Sequence, residues 1–285
     1  MRAKRPSSPA QRRDPDRTYR EVVVGGIRTA CIGREQMSRL MVGDCLAARG
    51  GKRQAKMVFA SNGHAISMVR NDKAFRENFA HADLIHADGQ PIVMASRLMT
   101  DAPIPERSAT TDFIHDAAKK ARENGLRFYM FGSTEETNAA AARRMQEMYP
   151  GLNIVGRRHG YFSLDEEEEI IAQINATKPD IVWVALGVPK EYEFCVRNKG
   201  KIEAGWVITA GGCFNFVTGE YKRAPGWMQA LSLEWAYRLW REPKRLWKRY
   251  AVTNPIALFT LLTRTMSYRS SEAARVSGAE SRKAG

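Results

Sequence analysis

Paired cysteines are missing from this chain. Its four, Cys31, Cys45, Cys195 and Cys213, are far apart and form no C-x-x-C, so neither a zinc ribbon nor a disulfide scaffold is supported and a reducing compartment is the default. Long apolar runs are missing too. The longest near the C-terminus, residues 255–262, is far short of the about 20 residues that a spanning helix needs. No apolar segment follows the polar, arginine-rich start, so no signal peptide is expected. There is no G-x-G-x-x-G after the first strand and no G-x-x-x-x-G-K-[ST], which removes the main signatures of dinucleotide dehydrogenases and P-loop NTPases. H-E-x-x-H and acidic metal-binding loops are also absent, so neither a metal nor a cofactor is expected. The acidic run at residues 165–169 opens a helix, where carboxylates favour the dipole. The five histidines, scattered along the chain, are read as structural or exposed.

Negative charge is in short supply. Against 45 Lys and Arg stand 31 Asp and Glu, a formal net charge of +14 over 285 residues. Residues 1–20, 238–249 and 268–285 together hold +12 of that excess, so the body between them is nearly neutral. Such a distribution argues against a surface that grips nucleic acid along its length, and no nucleic-acid partner is expected. It favours a local anionic partner near the C-terminus.

A hydrophobic content of 44% suffices for one sizeable core. After residues 1–20, a basic tail with almost nothing to bury, a small hairpin is expected around Gly25-Gly26 and a helix over residues 36–48. Strand-like apolar runs then alternate with amphipathic helices. The strands are expected at residues 57–60, 84–87, 127–131, 154–156, 181–186 and 206–210. Continuous apolar strands separated by helices indicate an α/β fold, a Rossmann-like parallel sheet covered by helices on both faces. The core is assigned to residues 21–220, a C-terminal helical, membrane-associating appendage to 221–267, and a second disordered tail to 268–285. Within the appendage a helix starts at Trp227, with Leu231, Trp235 and Leu239 along one face. Pro243 ends that helix and opens another that runs to about Tyr250.

In an open parallel sheet, ligands collect at the carboxyl ends of the strands. Three such ends carry suggestive chemistry. Gly132-Ser133-Thr134-Glu135 can cradle a ligand or simply start a capped helix. Gly187-Val188-Pro189-Lys190-Glu191 brings a cation and a carboxylate to the mouth of the sheet, where either could be a solvated surface charge. Asp88, before Gly89-Gln90, can cap the next helix or act as a base; spacing alone favours the cap.

Ala60-Ser61-Asn62, Ala87-Asp88-Gly89, Glu106-Arg107 with Asp112, Phe131 to Glu135, Gly187 to Lys190 and Arg223-Ala224-Pro225 follow one another in an order that resembles the WecG/TagA/CpsF glycosyltransferases. The ending Glu234-Trp235-Ala236-Tyr237-Arg238-Leu239 with Glu242-Pro243 strengthens the likeness, which spans residues 22–250. The resemblance implies inverting, metal-independent transfer of a sugar from a UDP-sugar donor to a polyprenyl-diphosphate-linked saccharide. The setting it implies is the assembly of a surface polymer on the cytoplasmic face of the membrane. It implies Asp88 as general base and Asn62 in the same pocket. Gly89, Arg107, Asp112, Gly132, Ser133, Thr134, Glu135, Gly187, Pro189, Lys190, Glu191 and Arg223 complete the expected substrate contacts. Three departures bear on sugar preference: Ala60 stands where many members have Thr, Thr110 replaces a usual Gly, and Glu191-Tyr192 replaces Gln-Glu. N-acetylmannosamine, its uronate and glucuronate all stay open as the transferred sugar.

Without a metal, the charge of departing UDP must be offset by N–H groups and by arginines. Arg238, Arg241 and Arg245 are candidates to close over the diphosphates, and equally candidates to anchor an anionic membrane surface with Trp235, Trp240 and Trp247. A homo-oligomer is left open. The competing classes are another nucleotide-binding α/β enzyme, such as an oxidoreductase, and a non-catalytic membrane-binding protein. The missing dinucleotide signature counts against the first.

Overall fold

The computed structural model describes residues 18–51 and 54–267. The two expected tails lie outside the described residues except for residues 18–20, where the Arg20 carbonyl already accepts the Cys31 N–H. A hairpin of β1 (Glu21–Val24) and β2 (Ile27–Ala30) leads into α1 (Arg34–Arg49). There follow β3 (Lys56–Ser61), α2 (Gly63–Asn71), α3 (Lys73–Ala80), β4 (Leu84–Ala87), α4 (Gln90–Met99) and α5 (Thr110–Glu123). The second half holds β5 (Arg127–Gly132), α6 (Glu135–Met148), β6 (Asn153–Arg158), α7 (Glu167–Ala176), β7 (Ile181–Ala185), α8 (Lys190–Arg197), β8 (Trp206–Thr209) and α9 (Cys213–Thr218). The chain ends in α10 (Gly226–Ala230), α11 (Glu234–Arg241), α12 (Pro243–Thr263) and β9 (Met266–Ser267).

Strands β3 to β8 form one parallel sheet in the order β4-β3-β8-β7-β5-β6. Its side chains alternate between two cores, as a period of two dictates. Phe59, Tyr129, Phe131, Val182 and Val184 enter one core; Val58, Phe128, Met130, Ile181 and Trp183 enter the other. Helices cover both cores, so the strands are apolar on both faces, which is why they read as unbroken apolar runs. On one face Phe59, Phe75, Phe79 and Tyr192 form a ring cluster with centroid separations of 5.0–5.7 Å. The expected α/β architecture is the one observed.

The helical elements hold surprises. Helices α3, α5 and α9 lie outside the sequence expectations; α5 buries Phe113 and Ile114 and then only Ala117, Ala118 and Ala121, small side chains that mark its inner face weakly. The helix expected from Trp227 is two helices, since the chain turns left-handed at Ser232 (φ 63°). Leu231 and Trp235 therefore do not share one continuous helix. Helix α12 opens at Pro243 as expected but runs past Tyr250 to Thr263, with Pro255 inside it. Burial overrides the proline: Leu246, Thr253, Ala257, Thr260 and Leu261 face the protein, and Ala257 and Leu261 join the main core. The start of α2 packs on α12 here: a Cβ at Gly63 would make an ordinary contact, 3.7 Å from the Ala257 Cβ. After α12 the chain returns to the first hairpin, where Met266 and Ser267 pair with Val23 and Val22. No helix among the described residues is long and apolar enough to cross a membrane.

Candidate active site

The carboxyl ends of the parallel strands line up Asp88 after β4, Asn62 after β3, Gly211 after β8, Gly187 after β7 and Gly132 at the end of β5. Four strand spacings separate the two extremes, about 19 Å at about 4.8 Å per step. Asp88 sits at one end of this edge and is partly buried. Its Oδ2 accepts the Asn62 amide at 3.1 Å and its Oδ1 accepts the Thr110 N–H at 2.8 Å. Helix α4 starts instead at Gly89 with no side-chain cap, so Asp88 does not cap the next helix, which spacing favoured. It caps α5, a helix 22 residues on, where the positive end of the dipole favours a carboxylate. Because that contact uses a backbone N–H, Thr110 in place of glycine leaves it available.

Asn62 is doubly engaged. Its Oδ1 accepts the Ala65 N–H at 3.0 Å as the N-cap of α2, which turns its NH2 toward Asp88. Behind Asp88, buried His86 pairs Nδ1 with the Ser108 carbonyl at 2.7 Å, while its Nε2 has no partner among the described residues. Burial holds this imidazole below its ordinary range, against the opposing charge of Asp88.

Arg107, Asp112 and Arg223 come together, but largely with one another. Asp112 accepts Arg107 at 3.0 Å and Arg223 at 2.8 Å; Gln229 accepts both arginines, at 2.6 and 2.8 Å. Glu234 accepts Arg107 at 2.7 Å. Burial raises the Asp112 carboxyl, but the bond and charge of Arg223, with Arg107 behind it, prevail and hold it below the usual carboxylate range. This network ties α10 and α11 to the start of α5.

Gly132 and Ser133 turn with positive φ, 120° and 60°, beside β7. A Cβ on Gly132 would collide with the Ala185 carbonyl, so only glycine fits. The Ser133 N–H is taken by that carbonyl at 2.8 Å, and Thr134 caps α6 through the Thr137 N–H at 3.1 Å. Glu135 pairs with Arg157, and the Glu136 carboxylate lies on its own backbone N–H. This helix start thus already holds carboxylates, and its electrostatics suit a base or ribose better than a diphosphate. Across the edge, Gly187 and Pro189 lead into α8, Lys190 is exposed and Glu191 is buried. The departure at Tyr192 serves packing: its ring joins the aromatic cluster and its OH donates to the Ala60 carbonyl at 3.1 Å.

The arginines of the C-terminal arm divide. Arg241 is exposed, and Arg245 pairs with Glu242 and lies over the Tyr221 ring. Arg238 lies over the rings of Phe216 and Tyr221. Sequence reasoning passed over Arg249, whose Nε is buried without a partner among the described residues. Burial lowers its pKa, and the charges of Arg238 and Arg245 lower it further. The same Arg249 charge adds to burial in pushing His64, on the first turn of α2, down to about 4. Three guanidinium groups are thus neighbours, and one of them, Arg249, acts on the first turn of the helix that Asn62 caps. The signal available in the sequence was the spacing of Arg245 and Arg249, one helical turn apart. Gly211, also missed, is marked only by the Gly-Gly pair that follows β8. Among the described residues no group of His, Cys, Asp and Glu side chains is gathered to hold a metal ion.

Over 202 residues the chain is 28% identical to the N-acetylglucosaminyldiphosphoundecaprenol N-acetyl-beta-D-mannosaminyltransferases of Staphylococcus aureus strains MRSA252 and MW2, covering 71% of this chain and 77% of each relative. Residues 22–271, from the first hairpin to beyond β9, match the Glycosyl transferase WecG/TagA/CpsF family, and the chain belongs to that family.

Proposed function

We propose that the protein transfers a sugar, with inversion, from a UDP-sugar to a saccharide carried on a polyprenyl diphosphate. The observation that carries this reading is the Asp88 carboxylate, fixed by the α5 N-terminus and by Asn62, the cap of the helix whose His64 feels the charge of half-buried Arg249. Each Asp88 oxygen accepts one hydrogen bond and keeps a lone pair for a proton. In the reaction Asp88 takes the proton of the acceptor hydroxyl while that oxygen bonds to the anomeric carbon. The bond from that carbon to the UDP oxygen breaks, and UDP leaves with the electron pair.

Charge accumulating on UDP is met by Arg249, Arg245 and Arg238, with Arg241 and Lys190 at the rim. Asn62 and Gly89 border the reacting sugar. Gly132 to Glu135 receive the base and ribose, and Gly187, Pro189 and Glu191 floor the pocket between. Arg107, Asp112 and Arg223 act at one remove by holding the arm in place. The Staphylococcus relatives, named for N-acetylmannosaminyl transfer onto a diphosphoundecaprenol-linked sugar, put N-acetylmannosamine first among the donors, ahead of its uronate and glucuronate.

Such an acceptor lives in a bilayer, and the arm presents a suitable face. Trp227, Leu231, Trp240, Trp247, Leu258 and Leu262 are each more than half exposed beside Arg241, Lys244 and Lys248. Exposed tryptophans with cations are the composition of an interfacial helix, so the protein works peripherally on the inner face of the membrane. The deciding experiment incubates the protein with several UDP-sugars and a short-chain polyprenyl-diphosphate disaccharide, then weighs the lipid product by mass spectrometry. Addition of one hexosamine is expected; no mass gain with any donor overturns the reading.

A further inference from the structure

Glu191 opens α8 beneath the loops that follow β7 and β8, and only 2% of it reaches solvent. Its Oε2 accepts the N–H of Gly187 at 3.1 Å and of Gly211 at 2.9 Å. Its Oε1 takes no hydrogen bond among the described residues, and no cation pairs with the carboxyl group there. The titratable groups that face it are Asp88 from the end of β4, Cys213 from α9, and Tyr192 and Cys195 from its own helix. Burial holds both thiols and the phenol above their ordinary ranges, so none of them supplies a charge at neutral pH.

A buried carboxylate without a cation is costly, and two N–H groups offset only part of that cost. A neutral acid in the same place is well served: the oxygen that takes both N–H groups is its carbonyl, and the remaining oxygen carries the proton. The electrostatics agree, since burial pushes the Glu191 carboxyl up to about 8, the glycine N–H groups lower it less, and the charge of Asp88 raises it again. Two carboxyl groups at one edge, in such different surroundings, are set up for different work.

We propose that Glu191 is a sugar-binding residue that works as a neutral acid. Its Oε1–H, left over from the two glycine N–H groups, donates a hydrogen bond to a hydroxyl, carbonyl or carboxylate oxygen of the sugar bound beside Asp88. This rests on the glycosyltransferase reading of Asp88. Loss of the proton turns the donor into a second anion, which repels the sugar oxygen and the diphosphate alike. Turnover is therefore limited on the alkaline side by Glu191 and not by the general base, which must be ionised to act.

Two measurements on the full chain test this. Infrared difference spectra between wild type and Glu191→Gln need no substrate. A carboxylic-acid carbonyl band is expected at about pH 6, replaced by carboxylate bands at about pH 10. Isotope-labelled glutamate in the wild type gives the same titration should the variant not fold. In the second measurement, kcat/KM of the wild type falls above the Glu191 midpoint by about tenfold per pH unit. Glu191→Gln, whose amide keeps a donor, lacks that alkaline limb. No acid band at about pH 6, or a Glu191→Gln profile with the wild-type limb, overturns the proposal. An acid band with no sugar transfer by the wild type overturns it through the Asp88 reading, so the two failures are distinguishable.

Discussion

Arg107 and Arg223 each face Asp112, Glu234 and the Gln229 amide, whereas Arg238 and Arg249 face no carboxylate among the described residues. The two pairs meet at the same mouth and differ in what folding has already given them. A guanidinium whose charge is met by carboxylates of the protein, even one such as Arg223 whose Nε lacks a hydrogen bond among the described residues, fastens one element to another. A guanidinium kept half-buried without a counter-charge raises the energy of the empty site and lowers it when an anion arrives. Residue type and proximity do not separate the two roles; the inventory of partners does.

Substitutions can break that contrast, with Asp88 as the reference. Asp88→Asn is expected to cut transfer by about 100-fold to 10,000-fold while leaving UDP binding and the melting temperature near those of the wild type. Near-normal turnover in an acceptor assay would remove the general base. Arg249→Ala is expected next, with kcat/KM lower by about 100-fold and weaker UDP binding by calorimetry, yet an unchanged or higher melting temperature because an uncompensated charge is gone. Arg223→Ala should show the reverse balance: it leaves Asp112 without one of its cations and costs about 2 kcal/mol in denaturant unfolding. If Arg249→Ala destabilises and Arg223→Ala does not, the assignment of fastening and binding arginines is inverted.

Smaller effects sharpen the picture. The Glu191 carboxyl binds a proton more tightly folded than unfolded, its value rising from 4.5 to about 8. The stability it contributes is therefore whole below 4.5 and is lost as pH rises through that window to about 8. Melting curves should show Glu191→Gln gaining on the wild type across the window; parallel curves would contradict a protonated acid. Trp240→Ala should give the mildest change, a few-fold loss of binding to anionic vesicles that salt enlarges, with transfer to a soluble acceptor unaltered. Equal sedimentation of the two proteins would place the membrane face elsewhere on the arm.

The sequence by itself determined the parallel sheet, the positions of its strands and the loops at their carboxyl ends. Apolar periodicity is a property of neighbouring residues, and packing on both faces of the sheet leaves it visible. It also determined Asp88 and Asn62 as a pair, through a shared order of motifs, and the break at Pro243. Only the tertiary structure decided what those residues do with their atoms. The Asp88 carboxylate turns to α5 and not to the helix beside it, because the crossover from β4 brings Thr110 back to the strand end. Glu191 passes for a surface charge until two glycines from separate strands enclose it. Helix α12 runs through Pro255 because the core covers one of its faces, and Arg249 lies one turn beyond the last arginine that spacing suggested. Long-range partners are set by the path of the chain in space, which local patterns do not encode.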